Sequence, residues 1–561
     1  MAATVSEASN GDSDLLTSPL AGARVGKLFV IGGPIALAIA IVASLWVSYL
    51  HVRFTAVVQA PAALVSGQPF ALRTEVVPEG SAPLPPLAGS AWVEQGGQRH
   101  DLGALTPAGD GGVLQATAQA PALSVGAATL HVRMESASGE GMEPMEEAIE
   151  VSVVDAAPTL KAAPLVAGST LQHGDDSDPQ PPRVRISVRP HGRLLSEFEN
   201  TIYVRVLHPD GRPFSGEVEV SLISGAFADA RPADGVKPVL GRGALDALGL
   251  FSIHGRLESA VLRVKVAVLG PDGTPLHERT VRMVSFAGGV VLRPDALAVS
   301  ATGPELDLVV EALRRKRPVF VDVHAPGGAW VSTVTPPLKV GEPPRSWTHG
   351  PVAPGVLQFE AYAATNAPGE SAALARVQVV QGDPTAAASL VPLLQLHREG
   401  VDAPRVEAGY EASLETKFLD RVQALPLDAE AVRAARRFLL GTLPLATYEP
   451  PVAVANRDRV LEAMATKKRR WTVAMRWVLL GGGGLFLLLM TLTMMRGHAQ
   501  AAASTMAALG TISDDDERHE ASATVAAAKR AALLRGLGVV AVMAAALAGT
   551  TLLLESLLWA H

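Results

Sequence analysis

The segment VRVLHPDGRP at residues 204–213 returns as VAVLGPDGTP at residues 266–275, with seven of ten positions identical. Each is an alternating apolar run that stops at Pro-Asp-Gly. Proline holds φ at about −65° and glycine takes the φ > 0 position, so the tripeptide closes a tight turn. An apolar run of period two that ends in such a turn reads as a half-buried strand. Two hairpins of one β-sandwich, or a duplicated half-domain, both account for the repeat. Neither implies a ligand.

The same punctuation divides the surrounding tract into modules. Residues 183–286 hold the repeat and form one β-module. Upstream, residues 52–155 carry strand-like runs at 54–59, 70–77, 91–94, 113–118, 128–134 and 149–153, split by Gly- and Pro-bearing turns. That spacing predicts an immunoglobulin-like sandwich. Residues 156–182, with their Gly-Asp-Asp-Ser-Asp-Pro run, predict a linker. Downstream, residues 287–381 form a third module, with runs at 307–313, 319–324, 331–334, 357–363 and 373–380 and a Pro-rich connection at 336–347. The predicted fold class is mainly β: tandem immunoglobulin-like β-sandwich modules with a helical juxtamembrane segment and three transmembrane helices.

Two phrases carry a family likeness. The cadence of β-run, Asp-Gly-x-Pro and x-Gly-x-Val-x-Val across 204–220, and the turn-to-strand phrase APGVLQFEAY at 353–362, resemble immunoglobulin-like domains of bacterial envelope proteins, including macroglobulin-like and invasin-like arrays. The resemblance covers about 200 residues and implies sandwich modules in a cell envelope. Thioester trapping is not carried over, because the Cys-Gly-x-Gln motif needs a cysteine and the chain has none.

Composition narrows the chemistry. At 561 residues the chain exceeds what one core supports, and 48% hydrophobic content with 4% aromatics makes Ala, Val, Leu and Gly the apolar mass. A net charge of -7 without a long basic tract argues against nucleic acid. The missing cysteines exclude disulfides, Cys-ligated zinc, iron–sulfur clusters and thiol nucleophiles. There is no Gly-x-Ser-x-Gly elbow, Walker loop, Rossmann fingerprint or His-Glu-x-x-His pair, and the 14 histidines share no ligand spacing. Asp175, Asp176 and Asp178 lack the alternating ligands and distal Glu of a calcium loop. No catalytic residue, cofactor or metal is expected, and the chain reads as a non-enzyme.

After residue 383 the period changes to helical. Runs at 390–399, 411–425 and 429–440 place Leu414, Phe418, Val422 and Leu425 on one face. Asp428 is the expected N-cap of the third run and Gly441 its stop. Asn456 is expected to cap a helix that runs on through Lys467, Lys468, Arg469 and Arg470. Residues 384–470 then predict a stalk, with those four cations and Trp471 at the membrane interface and membrane lipid as their partner.

Three apolar stretches have spanning length. The first lies within 27–51, after a polar tail at 1–26, and reads as an uncleaved anchor. The second is 471–495 and the third 533–558, with a helical loop at 496–532 between them; Ser513 and Asp516 there resemble a capping box. Gly481, Gly482, Gly483, Gly484, Ala545 and Gly549 permit close helix approach. That approach is either a hairpin of the two spans or contact with a partner helix or a second copy. Arg496, Arg518, Lys529, Arg530 and Arg535 sit in a short loop, which weighs more for orientation than cations attached to a long domain. The expected product is a multi-pass protein of the bacterial inner membrane, N-terminus inside, with a large periplasmic region. Its modules would bind or position a protein partner in the envelope or membrane. The alternative is an accessory or signal-transmitting subunit of a transporter or sensor, coupling the modules to the 496–535 loop.

Overall fold

A computed structural model describes residues 52–109, 112–156, 171–172, 183–232, 236–303, 305–313, 318–336, 345–348, 350–363, 372–401, 411–443, 451–509 and 515–559, with scattered positions between 32 and 46. The chain divides into two units, Phe54–Asn456 and Met1–Arg53 with Arg457–His561. The tail at 1–26, Ser513, and most of the first expected span and of the 156–182 linker lie outside the described residues.

The first module contains β1 (Phe54–Ala60), β2 (Ala63–Val65), β3 (Pro69–Pro78), β4 (Leu87–Gln95), β5 (Gln98–Pro107), β6 (Val113–Gln119), β7 (Gly126–Ser136) and β8 (Met145–Val154). Strands β1, β3 and β6 form one layer, and β2, β8, β7, β4 and β5 the other. β5 joins them, pairing with β4 along most of its length and with β6 at Thr106 and Pro107. The β4–β5 turn is Gly96-Gly97, both at positive φ, the two-residue loop whose twist matches a hairpin.

The second module holds β9 (Leu171–Gln172), β10 (Arg185–Pro190), β11 (Leu195–Ser196), β12 (Glu199–Leu207), β13 (Glu217–Ser224), β14 (Val239–Ala244), β15 (Leu250–Arg256), β16 (Val261–Leu269), β17 (Pro275–Val284) and β18 (Phe286–Ala287). Its layers are β10-β12-β15 and β14-β13-β16-β17, with β11 running parallel to β18 and β9 added beside β17. The third holds β19 (Val290–Pro294), β20 (Ala298–Ser300), β21 (Glu305–Ala312), β22 (Phe320–His324), β23 (Trp330–Val334), β24 (Arg345–Thr348), β25 (Gly355–Tyr362) and β26 (Ala373–Val380). Its layers are β19-β21-β24 and β20-β26-β25-β22-β23. The first and third modules repeat one connectivity, with the first, third and sixth strands in one layer and the second, eighth, seventh, fourth and fifth in the other; the second module follows it once β9 is set aside, except that β11 pairs with β18, just after β17, instead of with β17. Each has its own apolar core between the layers.

The repeated decapeptides make the same turn in two settings. His208 N donates to Arg212 O and Gly211 N to His208 O, at 2.8 and 2.9 Å; Gly270 N donates to Thr274 O and Gly273 N to Gly270 O at the same distances. Asp210 and Asp272 each accept from the backbone two residues on, and Gly211 and Gly273 take φ of 85° and 79°. Only the second copy closes a hairpin, between β16 and β17. The first carries the chain from β12 in one layer to β13 in the other. The expectation of two hairpins thus holds for one copy.

Residues 384–456 do not stand away as a stalk. Helices α1 (Val391–Glu399), α2 (Ala412–Ala424) and α3 (Ala429–Thr442) fold back on the second and third modules. Leu393, Leu414, Phe418, Val422 and Phe438 pack with Tyr203, Leu207, Leu250 and Val356 in a fourth core. The apolar face read from the sequence is therefore real, but it covers sheet. Asp428 caps α3 by accepting from Ala431 N at 2.8 Å. Gly441 lies inside α3 rather than after it; a Cβ there would come within 2.2 Å of the His191 ring, so the glycine permits close approach.

The second unit contains α4 (Arg457–Trp477), a π-helical turn at Val478–Gly482, α5 (Gly483–Leu509) and α6 (Asp515–Trp559). Among the described residues two helices, not three, are long and apolar enough to cross a membrane: Arg457–Ser504 and Ser522–Leu553. The helix expected to run uninterrupted into the second span does so, from Arg457 to Ser504, with one π-helical turn at Val478–Gly482.

Candidate functional site

The chain enters and leaves the β-unit at one place. β27 (Val452–Ala455) joins the first module's sheet antiparallel to β1, with Val57 opposite Ala455. Buried Asn456 extends the pairing: its N donates to Ala56 O at 3.0 Å, its Oδ1 accepts from Ala56 N at 2.8 Å, and its Nδ2 donates to Glu147 Oε1 on β8 at 2.8 Å. The side chain expected to cap a helix is committed to this clamp.

Buried charge holds the modules together. Arg73 on β3 meets Asp322 on β22 across the contact between first and third modules, Nη2 to Oδ1 at 2.6 Å, with side chains 1% and 6% exposed. Arg73 also donates to the hydroxyls of Tyr362 and Thr333, and Tyr362 donates to Asp322. The guanidinium carbon lies 4.6 Å from the Phe320 ring centre and 5.4 Å from those of Trp330 and Tyr362. Burial and then the Asp322 charge push the Tyr362 hydroxyl well above its ordinary pKa, so it stays a neutral donor.

A second cluster fastens the helices to the second module. Glu415 on α2 accepts from Arg189 on β10 at 3.0 Å and from Arg205 on β12 at 2.6 Å. Burial would raise this carboxyl, but the two guanidinium groups outweigh it and hold it well below the usual range. Arg205 also lies 4.5 Å from the Phe418 ring centre. Nearby, Arg376 on β26 donates to Leu440 O and Leu443 O, the free carbonyls at the end of α3, at 3.4 and 2.9 Å. None of these long-range contacts has a local sequence signal.

The residues singled out near the membrane sit in the second unit. Lys467, Lys468, Arg469 and Arg470 lie on α4 without a carboxylate partner among the described residues, and Trp471 is 40% exposed. Of the four consecutive glycines, Gly483 is the closely packed one: a Cβ there would meet Leu547 Cδ2 at 2.3 Å, whereas Gly481, Gly482 and Gly484 have open space. Gly549 is also open, and Ala545 is exposed. Gly536 meets Met494 in the same close manner and was not singled out from the sequence. The pairs Gly483–Leu547 and Met494–Gly536 run in opposite directions, so α5 and α6 pack antiparallel.

Among the described residues no three His, Asp or Glu side chains converge as metal ligands. His100, His131, His191 and His208 are scattered over the first two modules, while Asp175, Asp176 and Asp178 lie outside the described residues. No protein-family model and no curated protein matches the sequence. Among solved structures the chain is similar to trypsin-activated alpha-2-macroglobulin from Escherichia coli, at 14% identity over 59% of this chain and 24% of that one, with a TM-score of 0.16. It is similar to a Salmonella alpha-2-macroglobulin variant at 13% over 58% and 23%, TM-score 0.15, and to red sea bream transglutaminase at 11% over 36% and 32%, TM-score 0.15. The chain thus spans about a quarter of the macroglobulins' length. The likeness is weak and gives no sequence family, so function is argued from the chain's own geometry.

Proposed function

We propose that this chain is a non-enzymatic, membrane-anchored protein of the bacterial cell envelope whose extracytoplasmic immunoglobulin-like modules bind or position a protein partner. The observation that carries the reading is the repeated connectivity. With the second strand taken as a continuation of the first, the layers read A-B-E against G-F-C with the fifth strand added beside C, which supports an immunoglobulin-like reading. Three such modules, the first and third joined by one buried ion cluster and the second tied to α2 by another, present a fixed surface. That suits holding a partner more than reshaping around one. Two apolar helices supply the anchor: Leu480, Leu485, Leu488, Leu534 and Leu552 are more than half exposed, an arrangement suited to lipid.

Alkaline phosphatase fused after Val380 tests the sidedness. An active fusion is expected, and an inactive one sinks the extracytoplasmic placement. Pull-down of the full chain from solubilised membranes should then recover envelope or cell-wall proteins. Co-purification of a transporter or kinase instead favours the second reading, an accessory or signal-transmitting subunit. One observation favours that reading: β27 ends at Ala455 and α4 begins at Arg457, so strand and helix meet across a single residue.

A further inference from the structure

The groups around the Arg73 guanidinium come from one sheet face of the third module. β22 pairs with β25 so that Phe320 stands opposite Tyr362, and with β23 so that Asp322 stands opposite Thr333 and His324 opposite Trp330. Opposed side chains share a face, and period two alternates these residues with Val321 and Val323 of the core. In a free-standing sandwich that face would meet solvent, and its three aromatic rings, carboxylate and two hydroxyls would form an open cage for a cation. Asp322 holds the guanidinium through both oxygens, Nη2 to Oδ1 at 2.6 Å and Nη1 to Oδ2 at 3.4 Å. The hydroxyls of Thr333 and Tyr362 accept from the same two nitrogens. A planar fork of donors between aromatic faces matches this arrangement, and a lysine ammonium does not. Neighbouring strands of one sheet fix the groups, so the cage is built without the first module.

The first module covers the cage but shares no core with it. Each of the two modules has its own, and the whole second module separates them in the chain. The apolar part of the contact is Ala108 and Val113 against Phe320, Tyr362 and Ala372. The rest is polar: Thr333 and Thr335 donate to Gln115 at 3.3 Å, and the Thr117 and Ser332 hydroxyls lie 3.3 Å apart. Two donors, Arg73 Nε and Trp330 Nε1, are buried without a hydrogen-bond acceptor among the described residues, which makes closure costly. Contacts of this kind between modules of one chain behave like transient protein–protein interfaces. We propose that Phe320, Asp322, Trp330, Thr333 and Tyr362 form a binding site for an arginine side chain of a protein partner, and that Arg73 fills it in cis until that arginine displaces it. The receiving face stays fixed, and its cover moves. This rests on the partner-binding reading and gives it a place and a chemistry.

The chain has no cysteine, so a pair introduced by Thr117→Cys and Ser332→Cys can lock the first module over the cage. The full chain, purified in detergent, is titrated with a fluorescent synthetic peptide of residues 69–78, PFALRTEVVP, and with its lysine counterpart, and binding is read as anisotropy. Arg73→Ala should bind the arginine peptide about tenfold more tightly than the lysine one. Adding Asp322→Asn should weaken that binding about thirtyfold. The chain with the reduced cysteine pair should bind about tenfold more weakly than Arg73→Ala, because its own Arg73 competes. Oxidation should abolish binding, and dithiothreitol should restore it. No binding by Arg73→Ala, or equal binding of the two peptides, overturns the site. No binding by the reduced chain, or equal binding by reduced and oxidised chains, overturns displacement. A disulfide that forms between copies makes Arg73 of a second chain the occupant and overturns the partner's arginine. A pull-down that recovers no envelope protein breaks the partner-binding reading, whereas failure of the peptide titration breaks only the cage.

Discussion

The β-unit buries charge in two places, and the two are built differently. At Arg73–Asp322 one guanidinium faces one carboxylate, and Phe320, Trp330 and Tyr362 box the cation. At Glu415 one carboxylate serves two guanidinium groups, of which Arg205 rests on an aromatic ring. The first cluster is balanced and retains attractive partners for its cation if the acid is lost. In the second, one carboxylate is shared by two cations. Buried ion pairs contribute little net stability against apolar replacements, yet removing one partner is expensive because the other charge is left in a poor solvent. The clusters should therefore differ most when the acid is neutralised.

Glu415→Gln is the largest expected effect. It removes a charge partner that two buried cations share and should lower stability by about 3–5 kcal/mol, read as the denaturation midpoint of Phe54–Asn456 in the full chain. A loss below about 1 kcal/mol would mean that the helices do not depend on this carboxylate. Asp322→Asn should cost less, about 2 kcal/mol, because the aromatic box offsets part of the loss through cation–π attraction. Equal costs for the two substitutions would erase the distinction between the clusters.

Acid sharpens the comparison from another side. His324, next but one to Asp322, is 2% exposed, and burial lowers its pKa from 6.5 to about 4 against the raising effect of Asp322. Its native form is neutral, so between pH 6.5 and 4 the unfolded chain binds the extra proton. Stability is complete above pH 6.5 and is lost as pH falls toward 4, by up to about 3 kcal/mol. Glu415 is lowered instead, so its contribution persists through this window and disappears only below the ordinary carboxylate range. His191 is lowered by burial to about 4 as well, so melting temperature against pH should show a decline that starts near 6.5 and that His324→Gln makes shallower without abolishing. A decline that survives this substitution unchanged assigns the acid step to another group.

Much of the strand pattern was legible because it is local chemistry. Alternating runs and Pro-Asp-Gly turns specify strands without reference to the rest of the chain, and Asp428 is readable as a cap for the same reason. β5 escaped because its residues are mostly exposed and carry no apolar alternation. The docking of α1–α3 escaped because Gln358, Arg376 and Gln378 occupy the alternate positions that face solvent in a free-standing sheet, and here they are buried. Arg73 and Asp322 are 249 residues apart, and nothing in either neighbourhood announces the other. Of the small residues in the spans, Gly483 makes a close contact and its three glycine neighbours do not, a distinction of helix rotation that composition leaves open.

The smallest expected effect tests a joint held without an ion pair. Asn456 closes β27 onto β1 through two hydrogen bonds with Ala56 and one to Glu147, all neutral on the asparagine side. Asn456→Ala removes two side-chain hydrogen bonds and leaves Ala56 N without its acceptor, at a cost of about 1–2 kcal/mol. Most of that should appear locally. β27 has four residues and is half exposed, so amide exchange at Val454 and Ala455 should rise while the cores of the second and third modules stay protected. Glu415→Gln should do the reverse, exposing α1–α3 and leaving the β1–β27 pairing slow. If Asn456→Ala instead loosens the whole unit, the place where the chain enters and leaves is part of the same cooperative structure as the ion clusters, and the division between charged and neutral joints has no thermodynamic meaning.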